Sequence, residues 1–564
     1  MAKDSLVKGT VILAAAALVA RVLGVVQRIP LVYLIGQGGM ATFGIAFNIY
    51  TLLLTIATAG IPSALSKLVS ERTELGRHAE ADRIFRASVQ FALGAGVVMT
   101  VFLLLYAPTY ANASGDASAT LAIRALAPAL LLFPLIAIVR GYFQGRRMMM
   151  PNGLSQIIEQ ILRLVTSIGL AALFLAVGWG HDWAVAGASF GGVMGSVGAV
   201  AVLAWYWRSL RRQDRRERGE TAPASRGGIP VRIRQTQTAA ASAPQADNPL
   251  APKVLGTYGS IFKAMFTISI PIVLFSLAVP LIYFIDSSMA IPLLRGTIGE
   301  TEAKVALGIL TGQAQSLAGI PIILAIALSQ SIVPIVSSAY ARGDLVEVKR
   351  QAAKALQISV LTGLPVVLAI VTAARPINGF LFPNEAGYGI VALLTASALF
   401  QIVMQTSGSI LMGIGEMRPL IVNVCLGIVA KLVVSLLLAP VLGMYGIVLG
   451  TAGCFVVMMA FNARVIRKKV PFRVMSGRRW GGLAGASAIL LAVGFAVERL
   501  CYSLLSGLPA KLLYLVDGAI TGIVVLSLYP VLMMALKVVT KDDVAGFPAP
   551  LKKLIARVGR LVKR

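Results

Sequence analysis

The chain has 564 residues, 57% of them hydrophobic and only 13% charged, with a mean hydropathy of +0.83. A water-soluble protein of this length has no interior large enough to hide that much apolar surface, so soluble globular classes are excluded. The formal net charge of +28 invites a nucleic-acid reading, but the basic residues crowd into alternate connections between apolar runs. That pattern is the signature of cytoplasmic loops in a membrane protein, and it excludes nucleic acid as a partner.

An apolar run of about 20 residues spans a bilayer's ~30 Å hydrocarbon core, and backbone groups in lipid must bond internally, so each run is a helix. The opening MAKDSLVKGT leads into a first run over 8–34 without a small-residue cleavage site, which reads as a retained span. Runs at 43–68, 84–107, 121–142, 154–177 and 184–207 complete a set of six. Residues 208–257 hold ten Lys or Arg among Ala, Ser, Pro and Gln and are predicted to form a disordered basic cytoplasmic linker. Eight further runs follow, at 261–291, 305–338, 352–374, 388–412, 419–440, 445–464, 480–498 and 512–536. The connection 464–479 carries seven basic residues and the tail 537–564 eight, whereas 108–120 and 178–183 carry none. The expectation is an all-α polytopic protein of the plasma membrane with about fourteen spans and both termini cytoplasmic. Its basic loops would touch anionic lipids.

The two halves look related. IPSALSKLVSERTELGRHAEADRIFRAS from Ile61 matches VPIVSSAYARGDLVEVKRQAAKALQIS from Val333 in the order Pro, small residues, charged turn, amphipathic re-entry. GRRMMMP (145–151) matches GIGEMRP (413–419), a shift of 268 that also places Arg163 opposite Lys431. The predicted organisation is an N-terminal lobe (1–207), the linker (208–257), a C-terminal lobe (258–465), a final helix pair (466–536) and a basic tail (537–564). Parallel repeats place a substrate site between halves near mid-membrane.

Ionisable side chains inside spans are costly and face a cavity or a partner. Arg21 and Arg28 lie seven apart on one face of the first span, and Glu159 and Arg163 are spaced i,i+4 on the fifth. Planar, always-charged guanidinium groups suit a pyrophosphate. The alternatives are headgroup snorkelling for Arg21 and Arg28 and a structural ion pair for Glu159 and Arg163. Asp286 in PLIYFIDSSMAIPLL has no helical neighbour to balance it. Protonation, pairing with Lys431, or a small cation would each resolve that. Gln144, Gln156, Gln160, Gln313, Gln315, Gln405 and Asn423 offer hydrogen bonds to a sugar headgroup, or simply join helices. Cys425, Cys454 and Cys501 form no spaced pair, and two histidines (His78, His181) give no basis for a His-rich metal site. There is no phosphate-binding G-x-x-x-x-G-K-[ST] loop and no catalytic motif, so neither an ATP-driven pump nor an enzyme is expected.

ARVLGVVQRIPLVYLIG (20–36), FNIYTLLLTIATAGIPSALSKLVSE (47–71), GYFQGRRMMMPNGLSQIIEQILRLV (141–165) and IALSQSIVPIVSSAYARGD (326–344) carry a family resemblance. The chain resembles the MurJ and stage V sporulation protein B-like flippases of the multidrug/oligosaccharidyl-lipid/polysaccharide exporter superfamily. The resemblance implies a MATE-like pair of six-helix lobes plus two C-terminal helices forming a lipid-tail groove. It further implies alternating-access export of an undecaprenyl-pyrophosphate-linked cell-wall precursor, with lipid II the expected cargo, in peptidoglycan synthesis or sporulation. Cell-wall synthesis proteins are the implied partners.

Under it, Arg21 matches a family arginine, and Arg28 lies one residue beyond another, at Gln27. Arginines on the second and eighth spans of Gram-negative members are missing from TLLLTIA and GQAQSLA. Together with the reading of the residues themselves, the expected substrate-binding set is Arg21, Arg28, Glu159, Arg163, Gln315 and Lys431, with Arg163 or Lys431 compensating for the missing arginines. Asp286 resembles a family aspartate that helps bind sodium, with Asn423 as a second cation ligand. No cofactor is implied beyond coupling to Na+ or H+ and the membrane potential. Teichoic or capsular precursor export, cation-coupled multidrug export, a membrane glycosyltransferase and a non-transporting scaffold are the alternatives.

Overall fold

A computed structural model describes residues 6–75, 77–217 and 258–539. Among the described residues every regular element is a helix, as lipid requires of a backbone that must satisfy itself. The first pass and most of the second form one long element, α1 (Leu6–Thr58). They are divided at Gly36, where φ of +65° and ψ of −178° break the helix. Glycine enters that left-handed region without the strain of a Cβ. α2 (Ile61–Glu74) finishes the second pass, with Pro62 in its first turn, where a missing N–H costs nothing. Passes three to six are α3 (His78–Ala113), α4 with α5 (Ala119–Leu126, Ala129–Gly145), α6 (Met150–Ala176) and α7 (His181–Glu217).

The seventh pass is α8 (Tyr258–Ser276) continued by α9 (Ala278–Ile298). Leu277 between them keeps helical angles, but Pro280 has no N–H to give the Ser276 carbonyl, which accounts for the interruption. The eighth is α10 (Glu300–Gly308), a six-residue π-helical segment over Ile309–Ala314, and α11 (Gln315–Ala341). The remainder are α12 (Leu345–Thr372) with short α13 (Ala374–Leu381), α14 (Tyr388–Gly413), α15 (Met417–Leu442), α16 (Met444–Lys469), α17 (Gly477–Leu504) and α18 (Ala510–Ala535).

Among the described residues, fourteen stretches are long and apolar enough to cross a membrane. Their partition differs from the sequence reading: 15–74 counts as one stretch although two passes meet at Gly36, and 258–298 counts as two because of Leu277. Two further boundaries move. Residues 208–217, expected in the disordered linker, continue α7, while 218–257 lie outside the described residues. The second lobe's last helix ends at Lys469 instead of 465, and 540–564 of the basic tail are likewise outside the described residues.

The repeat is carried in the fold. Shifting α3 by 268 gives 346–381, against 345–381 for α12 and α13 together; shifting α6 gives 418–444, against 417–442 for α15. Gly145, the last residue of α5, falls on Gly413, the last of α14. Both glycines pack alike. A Cβ on Gly145 would meet the Ser66 carbonyl and Val69, and one on Gly413 the Val333 carbonyl and Val336.

The last two helices stand against the second lobe, where Leu483, Leu490, Val525 and Tyr529 share an apolar cluster with Val360, Leu364 and Leu368 of α12. Outside the spans, Arg375 of α13 binds Glu385 at 2.8 and 3.2 Å, and Tyr514 of α18 donates to the same carboxylate at 2.8 Å. The guanidinium first, and the phenol after it, hold the Glu385 carboxyl below the usual glutamate range.

The connections after α2, α5, α11, α14 and α16 share one end of the bundle, the basic end. At the opposite end the lobes are latched. Lys304 of α10 pairs with the buried Asp116 at 2.8 Å, and that carboxylate also accepts from Thr42 (2.5 Å) and Ser118 (2.6 Å). Just beneath, a Cβ on Gly44 would lie 2.6 Å from Thr311, and one on Gly308 would run into the Gln37 carbonyl oxygen. The lobes touch backbone to backbone there.

Candidate functional site: a cationic vestibule between the lobes

Below that closed end the lobes part around two adjoining chambers of about 440 and 550 Å³. Arg21, Arg28, Phe47, Gln315 and Gly319 line both, so the chambers form one vestibule. The first pass supplies Arg21 and Arg28 from one face, about 10 Å apart along the helix. Arg28, the deeper, donates to the backbone carbonyl of Thr311 in the π-helical segment, and its guanidinium stands 5.6 Å over the Phe47 ring. A π segment displaces carbonyls from the ordinary i→i−4 ladder, which suits such an outside donor. Arg21 is exposed and has no hydrogen-bond partner among the described residues.

The opposite wall of the smaller chamber is α6. Its approach to α7 is set by Gly187, Gly191 and Gly195, four residues apart; a Cβ on Gly195 would lie 2.7 Å from the Glu159 carbonyl and 3.1 Å from Arg163 Cβ. Thus seated, Glu159 accepts from Arg163 and from Arg140 of α5, each at 3.0 Å, while Arg140 also donates to Ser155 at 2.9 Å. Four guanidiniums therefore face one carboxylate in this chamber. Its polar lining continues with Gln27, Gln156, Gln160 and Gln315. The second chamber is more apolar, with Phe275, Val279, Pro280, Ile322, Met404 and Met412 beside Asn48, Tyr283 and Gln405. Buried polar atoms are left over around the vestibule: Arg163 Nε, Gln315 Nε2 and Gln405 Oε1 have no partner among the described residues. Such groups call for a polar guest or water.

Arg21, Arg28, Glu159, Arg163 and Gln315 therefore come together from distant parts of the chain. Lys431 does not join them. It is fully buried in the second lobe, ion-paired with Asp286, and donates to Thr451 of α16 at 2.8 Å. The Thr451 hydroxyl in turn donates to the second Asp286 oxygen at 3.2 Å. Of the three arrangements left open for Asp286, this is the ion pair.

Asn423 is separate again. Eight residues before Lys431 on α15, about 12 Å along the axis, it donates to Asn462 at 2.8 Å. It shares no cation shell with Asp286. Gln313 also turns away from the vestibule, to accept from Asn378 at 3.2 Å. Sequence reasoning missed Arg140. It stands at the end of an apolar run, where a charge reads as the membrane boundary, and its partner Glu159 is on the next helix but in space directly opposite.

Residues 6–238 match the family described as polysaccharide biosynthesis protein. The lipid II flippase MurJ of Bacillus subtilis is 27% identical over 480 residues, covering 82% of this chain and 83% of that protein. Stage V sporulation protein B of Bacillus subtilis is 24% identical over 571 residues, covering both chains in full. The chain is a homologue of MurJ and of stage V sporulation protein B. A solved structure of lipid II flippase MurJ in an inward closed conformation superposes with a TM-score of 0.63 at 13% identity, over 93% of this chain and 100% of that one. The fold is that shared by MurJ and the MATE transporters of the MOP superfamily. Among these relatives and structural neighbours, MurJ is a lipid II flippase and the MATE protein a multidrug transporter.

Proposed function

We propose that this homologue of MurJ is a flippase that carries a polyprenyl-pyrophosphate-linked sugar precursor, with lipid II as its cargo, from the cytoplasmic to the outer leaflet. The observation that carries the reading is the vestibule's charge: four guanidiniums and one carboxylate, closed at one end by the Asp116–Lys304 latch. A diphosphate offers acceptor oxygens in the geometry that guanidiniums grip best. Arg21, without a partner of its own, is the first contact; Arg28 is the deeper one. The amide side chains of Gln156, Gln160 and Gln315 suit a sugar headgroup. The basic end faces the cytoplasm, where the positive-inside rule puts it, and the closed end faces outward. Rocking the lobes opens the latch and closes the basic side, and the membrane potential contributes about 2.3 kcal/mol per charge moved across 100 mV. Export of cationic drugs suits this vestibule poorly, because its guanidiniums repel such cargo.

The test is translocation of lipid II by the purified protein in proteoliposomes. Arg21→Ala and Arg28→Ala each remove a charge-assisted contact, so headgroup affinity should fall roughly 10- to 100-fold, with the protein still folded. Translocation at the wild-type rate in both variants contradicts the reading. A teichoic or capsular precursor moved in preference to lipid II keeps the flippase and changes its cargo.

A further inference from the structure

The sodium ion implied by the family resemblance finds no fitting shell among the described residues. A hard cation needs a set of free oxygens around a carboxylate. Asp286 has none to offer: one oxygen is ion-paired with Lys431, and the other accepts from Thr451. The three side chains are buried to 2% exposure or less and come from three helices, α9, α15 and α16. They are held there by close packing, since a Cβ on Gly450 would lie 3.1 Å from the Lys431 carbonyl, and Thr451 is the next residue along. Asp286 and Lys431 already balance each other, and a further positive charge in this apolar setting would have no counter-charge. Asn423, the other expected ligand, is spent on Asn462.

We infer that the Lys431 ammonium is a tethered stand-in for a coupling cation, and that the protein neither binds nor requires sodium. The ammonium does what an ion at this place would do. It neutralises Asp286 and ties α9 to α15 and α16, while Tyr283, one turn before Asp286 on α9, reaches the vestibule. The inference does not depend on which cargo the vestibule takes.

The experiment is thermal unfolding of the purified full-length protein as sodium replaces choline at constant ionic strength. Wild-type protein is expected to show no sodium-specific shift of the unfolding temperature. Lys431→Ala empties the ammonium's place beside Asp286 and should gain an upward shift with sodium, which Lys431→Ala combined with Asp286→Asn should lose. A sodium-induced rise in wild type that disappears in Asp286→Asn overturns the inference. So does a folded Lys431→Ala protein indifferent to sodium. If Lys431→Ala does not fold, the wild-type and Asp286→Asn measurements decide the matter alone.

Discussion

Glu159 holds two arginines at once, and this sharing sets how rigidly the vestibule presents its charge. A free guanidinium would wander among rotamers; Arg140 and Arg163, each 3.0 Å from one carboxylate, are fixed before cargo arrives. The fork of Arg140 reaches both Ser155 and Glu159, which an ammonium on a flexible stem does not reproduce. Arg140→Lys should therefore lower unfolding stability by about 1–2 kcal/mol although charge is kept, seen as earlier thermal unfolding of the purified protein; unchanged stability contradicts the shared clamp. The Glu159–Arg163 pair was legible in sequence because i,i+4 neighbours on a helix must meet. Arg140 was not, because its contact is made by two helices packing rather than by spacing. Lys431, expected beside the substrate, occupies the position that matches Arg163 under the repeat, but the two lobes use that position differently. In one it faces the vestibule, in the other it is turned inward to Asp286.

Helix passes announce themselves through apolar length, and their number and order could be read directly. Interruptions inside them could not. Nothing in the composition of the π segment over Ile309–Ala314 (ILTGQA) distinguishes it from an ordinary α-helical turn, yet it gives Arg28 a carbonyl to hold across the lobe boundary. Pro280 is visible in the sequence, but a proline inside a span predicts a bend without saying at which residue the helix is interrupted. The same boundary depends on bare backbone at Gly308, which abuts the Gln37 carbonyl, and Gly44 against Thr311. Gly308→Ala should keep the closed end from seating and shift the population toward the outward-open form. A Thr42→Cys reporter, labelled by a membrane-impermeant maleimide added to intact cells, should react faster in that variant. Equal labelling with and without Gly308→Ala contradicts the role of this contact.

For the molecule as a whole, the feature that bears on cargo is the charge between the lobes, four guanidiniums against one carboxylate. The fold accommodates multidrug transporters as well as flippases, so the fold alone does not choose a cargo. The helix bounds of the two lobes correspond under the same shift of 268 that relates GRRMMMP to GIGEMRP. The meeting of Arg21, Arg28, Arg140 and Arg163 in one chamber arises only when the first, fourth and fifth passes converge. The most direct test is binding of undecaprenyl pyrophosphate, undecaprenyl phosphate and a cationic dye to the purified protein, followed by native mass spectrometry. The diphosphate should be retained roughly tenfold better than the monophosphate, and the dye not at all. Retention of the dye, with no preference for the diphosphate, would contradict an anion-gripping vestibule.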